Sequence, residues 1–427
     1  MRISFSHSSL LMAALFLLPA MISCDRDVFD EDKYIEVVKT LSPVDSIEST
    51  HMFRTTENYL VNINANVNTG TERVLILTGN PTAGETSYIL ASTYLSDGER
   101  MSIRFSAPVI LTQFYAALVN SEEEYTVARF DAGQGSVDFT SPVSVRGRVR
   151  KTPSPQVYTY CFEDEEPEPG DYDYNDLVLR VSQERISETE LKMNVTLAAI
   201  GSDMQLGAAI RLSGFSYEDI DTVYTKGIED GETFDDGYDM PGDKPLPQEG
   251  LLMKAKNNDA VLRLFDDAHW AIGDPSLSID YGQLTRMYYN VVRLTTEESQ
   301  LISPRTISYY IKFKSAVTLN TFSMDMLDPF IIIKYNSATW EIHLCDYQGA
   351  QVFYEYNIVN SVKLLPWAIV IPNGTFRYPL QGYNIGYRKN GQLFGAYMTA
   401  GHSFGEWVED HTKATDWYEY PTMNMVF

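Results

Sequence analysis

The strongest chemical signal in this chain is a run of acidic side chains. Between Glu163 and Asp176, in the segment Phe162-Glu-Asp-Glu-Glu-Pro-Glu-Pro-Gly-Asp171-Tyr-Asp173-Tyr-Asn175-Asp176, there are eight carboxylates and no lysine or arginine. Folded together, these groups repel unless a cation sits among them or water separates them. Hard oxygen donors without histidine or cysteine suit Ca²⁺, which takes six to eight oxygens at about 2.3–2.6 Å. Asp171, Asp173 and Asn175 alternate with Tyr172 and Tyr174, so an extended chain would bring their oxygens to one side. Together with Asp164 and Asp176, they form the expected ligand set. Asp176 leads into an apolar strand, 177–181, that would hold the site. The spacing is not that of an EF-hand: counted from Asp171, the sixth residue is Asp176 rather than glycine and the twelfth is Ser182 rather than glutamate. The competing reading is a solvated acidic turn.

The elements around this segment are predicted to be strands. Leu191, Met193, Val195 and Leu197 alternate with Lys192, Asn194 and Thr196, the period of a strand with one buried face. Residues 58–68 alternate in the same way, with Tyr59, Val61, Ile63, Ala65 and Val67 opposed to asparagines. Short β-rich runs follow at 73–77, 88–93, 101–105, 109–119 and 125–130, separated by turn signals, a spacing that predicts a β-sandwich over 53–150. The basic run Arg146–Lys151, followed by Thr-Pro-Ser-Pro, marks the boundary to a larger antiparallel β-rich region, 151–427, with few helices. Further strands are expected at 307–313 and 329–334, a long loop at 228–250, and a helix near 394–407. The fold class expected is therefore mainly β.

The N-terminus reads as an export signal. Arg2 precedes an uncharged apolar run, Leu10–Leu18, too short to span a bilayer as a helix. Met21-Ile22-Ser23-Cys24 resembles a lipobox, which predicts a signal peptide over 1–23 and diacylation of Cys24. Several acyl chains, at about 0.8 kcal/mol per buried CH₂, would anchor the protein stably. Residues 24–52 are charged and read as an acidic tether, with a short helix at 34–41. The expected setting is extracytoplasmic: the outer membrane or the cell surface. A net charge of −25 argues against nucleic acid as a partner. Cys161 and Cys345, an even pair in an exported chain, permit a disulfide.

The motif order resembles the LruC-domain lipoproteins, a family of uncharacterised exported proteins common in the Bacteroidota. The likeness rests on Phe162-Glu-Asp, Gly170-Asp-Tyr-Asp-Tyr-Asn-Asp176, Leu327-Asp-Pro-Phe-Ile-Ile, Glu341-Ile-His-Leu, Leu365-Pro-Trp-Ala-Ile and Asp416-Trp-Tyr. It covers roughly 155–427 and implies calcium binding at the acidic motif, but no assigned activity. Cys161 and Cys345 each stand beside one of these motifs, which implies neighbouring strands joined by a Cys161–Cys345 disulfide; the alternative is two buried thiols.

No catalytic constellation is expected. There is no Gly-x-Ser-x-Gly elbow, no phosphate loop and no His-Glu-x-x-His helix. His343 and His269 are read as structural. The expected function is that of a non-catalytic surface interaction or structural module. The alternative is a carbohydrate-binding or glycan-processing lipoprotein using the aromatic tail, where Trp367, Trp407 and Trp417 would either stack on sugar or fill the core.

Overall fold

The computed structural model describes residue 33 and residues 44–64, 72–95, 100–139, 145–165, 170–227, 231–234, 250–273, 286–335, 338–347 and 365–427. The signal segment 1–23, Cys24, the expected helix at 34–41 and most of the loop at 228–250 lie outside the described residues. No helix among them is long and apolar enough to cross a membrane.

The architecture is mainly β. A three-stranded sheet runs β4 (Arg100–Pro108), β1 (Thr56–Asn64), β7 (Ser136–Asp138). A six-stranded sheet runs β8 (Val145–Arg148), β6 (Glu124–Asp131), β5 (Gln113–Val119), β2 (Glu72–Leu77), β3 (Tyr88–Leu95), β9 (Ser154–Pro155). Val61, Ile63, Ile103 and Phe105 of the first meet Val74, Ile76, Phe114 and Phe130 of the second in one apolar cluster. Period-two burial decides which residues these are: within β1, Val61 and Ile63 are buried while Asn62 is exposed. One boundary differs from expectation. Residues 109–112 form a turn, with Leu111 N–H bonded to Pro108 O at 3.0 Å and Ile110 exposed, so that strand begins only at Gln113.

A larger sheet runs β14 (Ile220–Lys226), β19 (Arg305–Phe313), β12 (Glu190–Ile200), β11 (Leu177–Arg185), β10 (Val157–Phe162), β22 (Ala368–Ile371), with β17 (Tyr288–Tyr289) paired to the end of β12 and β18 (Ser299–Gln300) paired to β17. It faces a five-stranded sheet: β15 (Leu252–Lys254), β16 (Asp259–Phe265), β13 (Gln205–Ser216), β20 (Leu327–Tyr335), β21 (Ala338–Ile342). Leu177, Leu179, Met193, Val195, Ile307 and Tyr309 from one side interlock with Leu206, Ile210, Leu262 and Ile331 from the other. Leu→Ala changes in such an interior cost roughly 2–5 kcal/mol.

The C-terminal segment covers the opposite face of β10, β11 and β22. Phe376, Tyr378, Tyr397, Phe404, Trp407 and Trp417 pack there on Cys161, Val178, Ile369 and Ile371. Of the helix expected at 394–407 only the last four residues are helical, within a short helix Phe404–Glu409. The stretch before it forms the small hairpins β23 (Tyr387–Lys389) with β24 (Gln392–Phe394) and β25 (Met398–Thr399) with β26 (His402–Ser403). Gly395 and Gly401 lie there at φ 94° and 81°, a left-handed backbone that no helix tolerates.

The acidic tether expected over 24–52 ends earlier than its charge suggests. Val44, His51 and Phe53 are buried, the first and last within the C-terminal apolar cluster. Asp45 N–H bonds Arg388 O at 3.0 Å, Glu48 N–H bonds Val408 O at 3.1 Å, and His51 Nε2 lies 2.9 Å from Trp407 O. Apolar burial and backbone pairing outweigh the local charge from residue 44 onward.

Candidate metal centre

The acidic segment is the connection between β10 and β11, neighbouring antiparallel strands in which Phe162 pairs with Leu177. Strand pairing and the two-sided core fix both ends of the loop. Its middle is not extended, contrary to the sequence expectation: Tyr172 and Tyr174 lie at φ 56° and 52°. Left-handed conformations at bulky residues cost on the order of 1–3 kcal/mol each. They persist here because both rings are buried and Tyr174 Oη donates to Pro366 O at 2.6 Å.

This backbone turns inward around Glu163. The N–H of Tyr172 donates to Glu163 Oε2 at 3.0 Å, and the N–H of Tyr174 donates to Oε1. Asp173 Oδ1 accepts from Asn175 N–H at 3.1 Å, and its Oδ2 accepts from Gly382 N–H at 3.0 Å. As a result, one carboxylate oxygen from each of Glu163, Asp171 and Asp173 lies within 4.8 Å of the others. That is the span across a single Ca²⁺ with bonds of about 2.4 Å on either side.

Asp164 and Asp176 form a second pair beside the first group. Asp164 N–H donates to Asp176 Oδ2 at 2.8 Å, while Ser202 Oγ donates to Asp164 Oδ2. Asn175 is wholly buried. Its Nδ2 donates to Pro379 O at 3.1 Å, which fixes the amide, and its Oδ1 has no hydrogen-bond partner. The Asn175 side chain also reaches the Asp173 carboxylate.

Electrostatically the cluster is uncompensated. Glu163, Asp164, Asp173 and Asp176 are all buried, and no lysine, arginine or histidine among the described residues forms an ion pair with them. Burial raises the Glu163 carboxyl well above the ordinary range, the Asp173 and Asp171 charges add to this, and the two N–H donors oppose it. Asp173 is raised by burial and by Asp171, and Asp176 by burial and then by Asp164, Glu163 and Asp173. Buried carboxylates in this position must keep their protons or share a cation.

Sequence reasoning reaches four of these acids and Asn175 but not Glu163, although Glu163 stands in the Phe162-Glu-Asp164 motif. It also missed Ser202 and Gly382, which come from distant turns and carry no local signal.

Several other sequence expectations resolve differently. Cys161 and Cys345 are thiols, not a disulfide. Cys161 leaves its strand on the face opposite Tyr160 and Phe162, which point towards the sheet whose last strand, β21, leads to Cys345. Both side chains touch the C-terminal cluster, but Cys161 is sealed in apolar surroundings that push its thiol pKa up, so the reactive thiolate is disfavoured. Trp367, Trp407 and Trp417 are buried, so they are core residues and not a sugar platform. His343, read as structural, is buried. Its Nδ1 lies 2.9 Å from Asp328 Oδ2, its Nε2 3.2 Å from Glu341 Oε2, and its ring stacks on Phe330. Arg211 closes this network on Asp328 at 3.0 Å.

Fold and site together define a mainly β protein with a buried oxygen cluster on a hairpin inside its largest sheet. The chain belongs to the family described as Domain of unknown function (DUF4842), whose model matches residues 188–418. An unassigned function is also what the motif resemblance implied, and the acidic hairpin lies ahead of the matched span. No curated protein matches the sequence. Among solved structures, this chain is similar to a "putative lipoprotein" from Bacteroides ovatus, at 14% identity and a TM-score of 0.42 over 88% of this chain and 93% of that one.

Proposed function

We propose that this protein is a lipid-anchored, extracytoplasmic, non-catalytic module of LruC type whose acidic hairpin binds Ca²⁺, and that the ion makes its outer β surface rigid enough to serve in interaction or assembly. The reading rests on one observation: the buried carboxylates of Glu163 and Asp173 converge with that of the exposed Asp171, on the same hairpin as an unpartnered buried amide oxygen, Asn175 Oδ1, and no lysine, arginine or histidine among the described residues forms an ion pair with them. An all-oxygen donor set of this kind favours Ca²⁺ over Zn²⁺ or Cu²⁺. Calorimetric titration of the chain from residue 25 with Ca²⁺ tests it; absence of binding heat, with no competition by chelator, overturns it.

The anchor is tested separately. Cys24→Ala is expected to move the protein from the membrane fraction to the soluble fraction and to abolish incorporation of labelled fatty acid. Unchanged membrane retention would remove the lipid anchor from this reading.

A second reading, recognition of an uncharged glycan, is favoured by a cleft of about 660 Å³ elsewhere on the molecule. Although the chain is strongly acidic, this cleft is lined by Thr78, Tyr88, Asn194, Asn373 and Thr375 alongside apolar residues such as Pro108, Ile110 and Val157, with Glu419 its one carboxylate among the described residues. Hydroxyl and amide groups around the half-exposed Tyr88 ring suit sugar hydroxyls and a stacked sugar face. Neutral oligosaccharides that bind, and that lose about tenfold in affinity with Tyr88→Ala (some 1.4 kcal/mol), would support it. No binding across a glycan array would dismiss it.

A further inference from the structure

We propose that Gln381 is a further ligand of the cation site, so that the bound ion clamps the C-terminal segment onto the acidic hairpin. This rests on the calcium reading above and extends it to a residue some two hundred positions downstream.

The first observation is a pair of facing acceptors. Gln381 Oε1, like Asn175 Oδ1, is a buried oxygen without a hydrogen-bond donor. Both crowd the place where a Cβ on Gly201 would stand: the Asn175 oxygen overlaps it, and the Gln381 oxygen is 2.8 Å from it. The backbone oxygen of Asn175 is 2.9 Å from the same point. Carbonyl oxygens gathered so closely repel through their partial charges, and a donor or a cation between them removes that cost. The absence of a side chain at Gly201 leaves room for the arrangement.

The second observation is the continuity of this pair with the carboxylates. Gly382, the next residue, donates its N–H to Asp173 Oδ2 at 3.0 Å, and Asn175 N–H donates to the other oxygen of the same carboxylate at 3.1 Å. Asp173 therefore ties the backbone next to Gln381 to the backbone of Asn175. Around it the hairpin and the C-terminal segment are joined by three further bonds: Asn175 Nδ2 to Pro379 O at 3.1 Å, Asn384 Nδ2 to Asp171 O at 3.0 Å, and Ile385 N–H to Tyr172 O at 2.7 Å. Neutral amide oxygens are ordinary Ca²⁺ ligands beside carboxylates. A donor set drawn from two distant segments makes ion binding and docking of those segments a single equilibrium.

The test is hydrogen exchange and calorimetry on the chain from residue 25, with Ca²⁺ or with chelator. Ca²⁺ is expected to slow exchange at the amides of Gly382 and Ile385 by at least about tenfold. Gln381→Ala should weaken Ca²⁺ binding by about 10–100-fold, the range for a supporting group at a metal site, and remove most of that protection. Gln381→Glu, of the same shape, should tighten Ca²⁺ binding while lowering the melting temperature in chelator, opposite shifts that a purely structural glutamine would not produce. If the wild type binds Ca²⁺ and both variants match it in affinity and exchange, the clamp is wrong and the site reading stands. If the wild type binds no Ca²⁺, both fall.

Discussion

Asp173→Asn is expected to abolish the stabilisation by Ca²⁺ while leaving the metal-free protein at least as stable as the wild type. In wild type, saturating the site at a hundred times Kd adds about 2.7 kcal/mol, a rise in melting temperature on the order of 5 °C. The variant lacks one charge of the Glu163–Asp171–Asp173 group, so it loses the ion but also loses the repulsion that raises its neighbours. The pH dependence separates these effects. Without metal, the folded state holds protons on Glu163, Asp173 and Asp176 above the pH at which the unfolded chain releases them, near 4. The folded state therefore binds more protons, and metal-free stability falls as pH rises from about 4 towards neutrality. With Ca²⁺ the sign reverses, because the ion binds the deprotonated form. Thermal unfolding from pH 4 to 8, with Ca²⁺ and with chelator, reads both slopes. Parallel slopes for the two conditions in wild type would show that these carboxylates hold no ion.

The second large effect is expected at alkaline pH and belongs to His343. Burial by itself would lower this imidazole, but the Asp328 charge and hydrogen bonds to Asp328 and Glu341 outweigh it and push it up to about 9. Carboxylate oxygens lie against both ring nitrogens, so both must donate, which only the imidazolium can do. A folded pKa above the unfolded value of about 6.5 means that its stabilisation is complete below pH 6.5 and is lost as pH rises through about 9. The loss is on the order of 3 kcal/mol. Asp328, raised by burial against the pull of His343 and Arg211, acts in the same direction. His343→Gln should flatten the denaturant-unfolding profile between pH 7 and 9.5, and at pH 7 it should cost roughly 3–5 kcal/mol because it leaves Asp328 and Glu341 buried without their cation. A variant that keeps the wild-type pH profile would assign the alkaline loss to another group.

Strand positions were legible because a half-buried strand writes its two faces into alternate residues. Leu191, Met193, Val195 and Leu197 are buried in β12 as their spacing requires, and Ile307–Phe313 falls within β19. The acidic hairpin was legible as composition: eight carboxylates without a local counter-charge are conspicuous in any fold. Its conformation was not. Alternation of Asp171, Tyr172 and Asp173 suggested an extended ligand row, but the burial of two tyrosine rings beneath the C-terminal segment turns the backbone left-handed and brings Glu163 into the centre. The tail tryptophans show the same limit from the other side. Aromatic content alone did not distinguish a sugar-binding surface from a core, and Trp407 and Trp417 become core only because the segment folds back over β10, β11 and β22.

By itself, then, the sequence determined the β class, the inward faces of its strands and the concentration of acid at one hairpin, because each is a property of neighbouring residues. The tertiary structure alone decided that Gly382 meets Asp173, that the Gln381 and Asn175 side-chain oxygens both crowd Gly201, that Cys161 and Cys345 remain thiols, and that residues 44–53 pack instead of tethering. Those outcomes depend on which segments cover which face of a sheet. The free energy that decides such contacts comes from burying groups hundreds of residues apart, and no local pattern carries it.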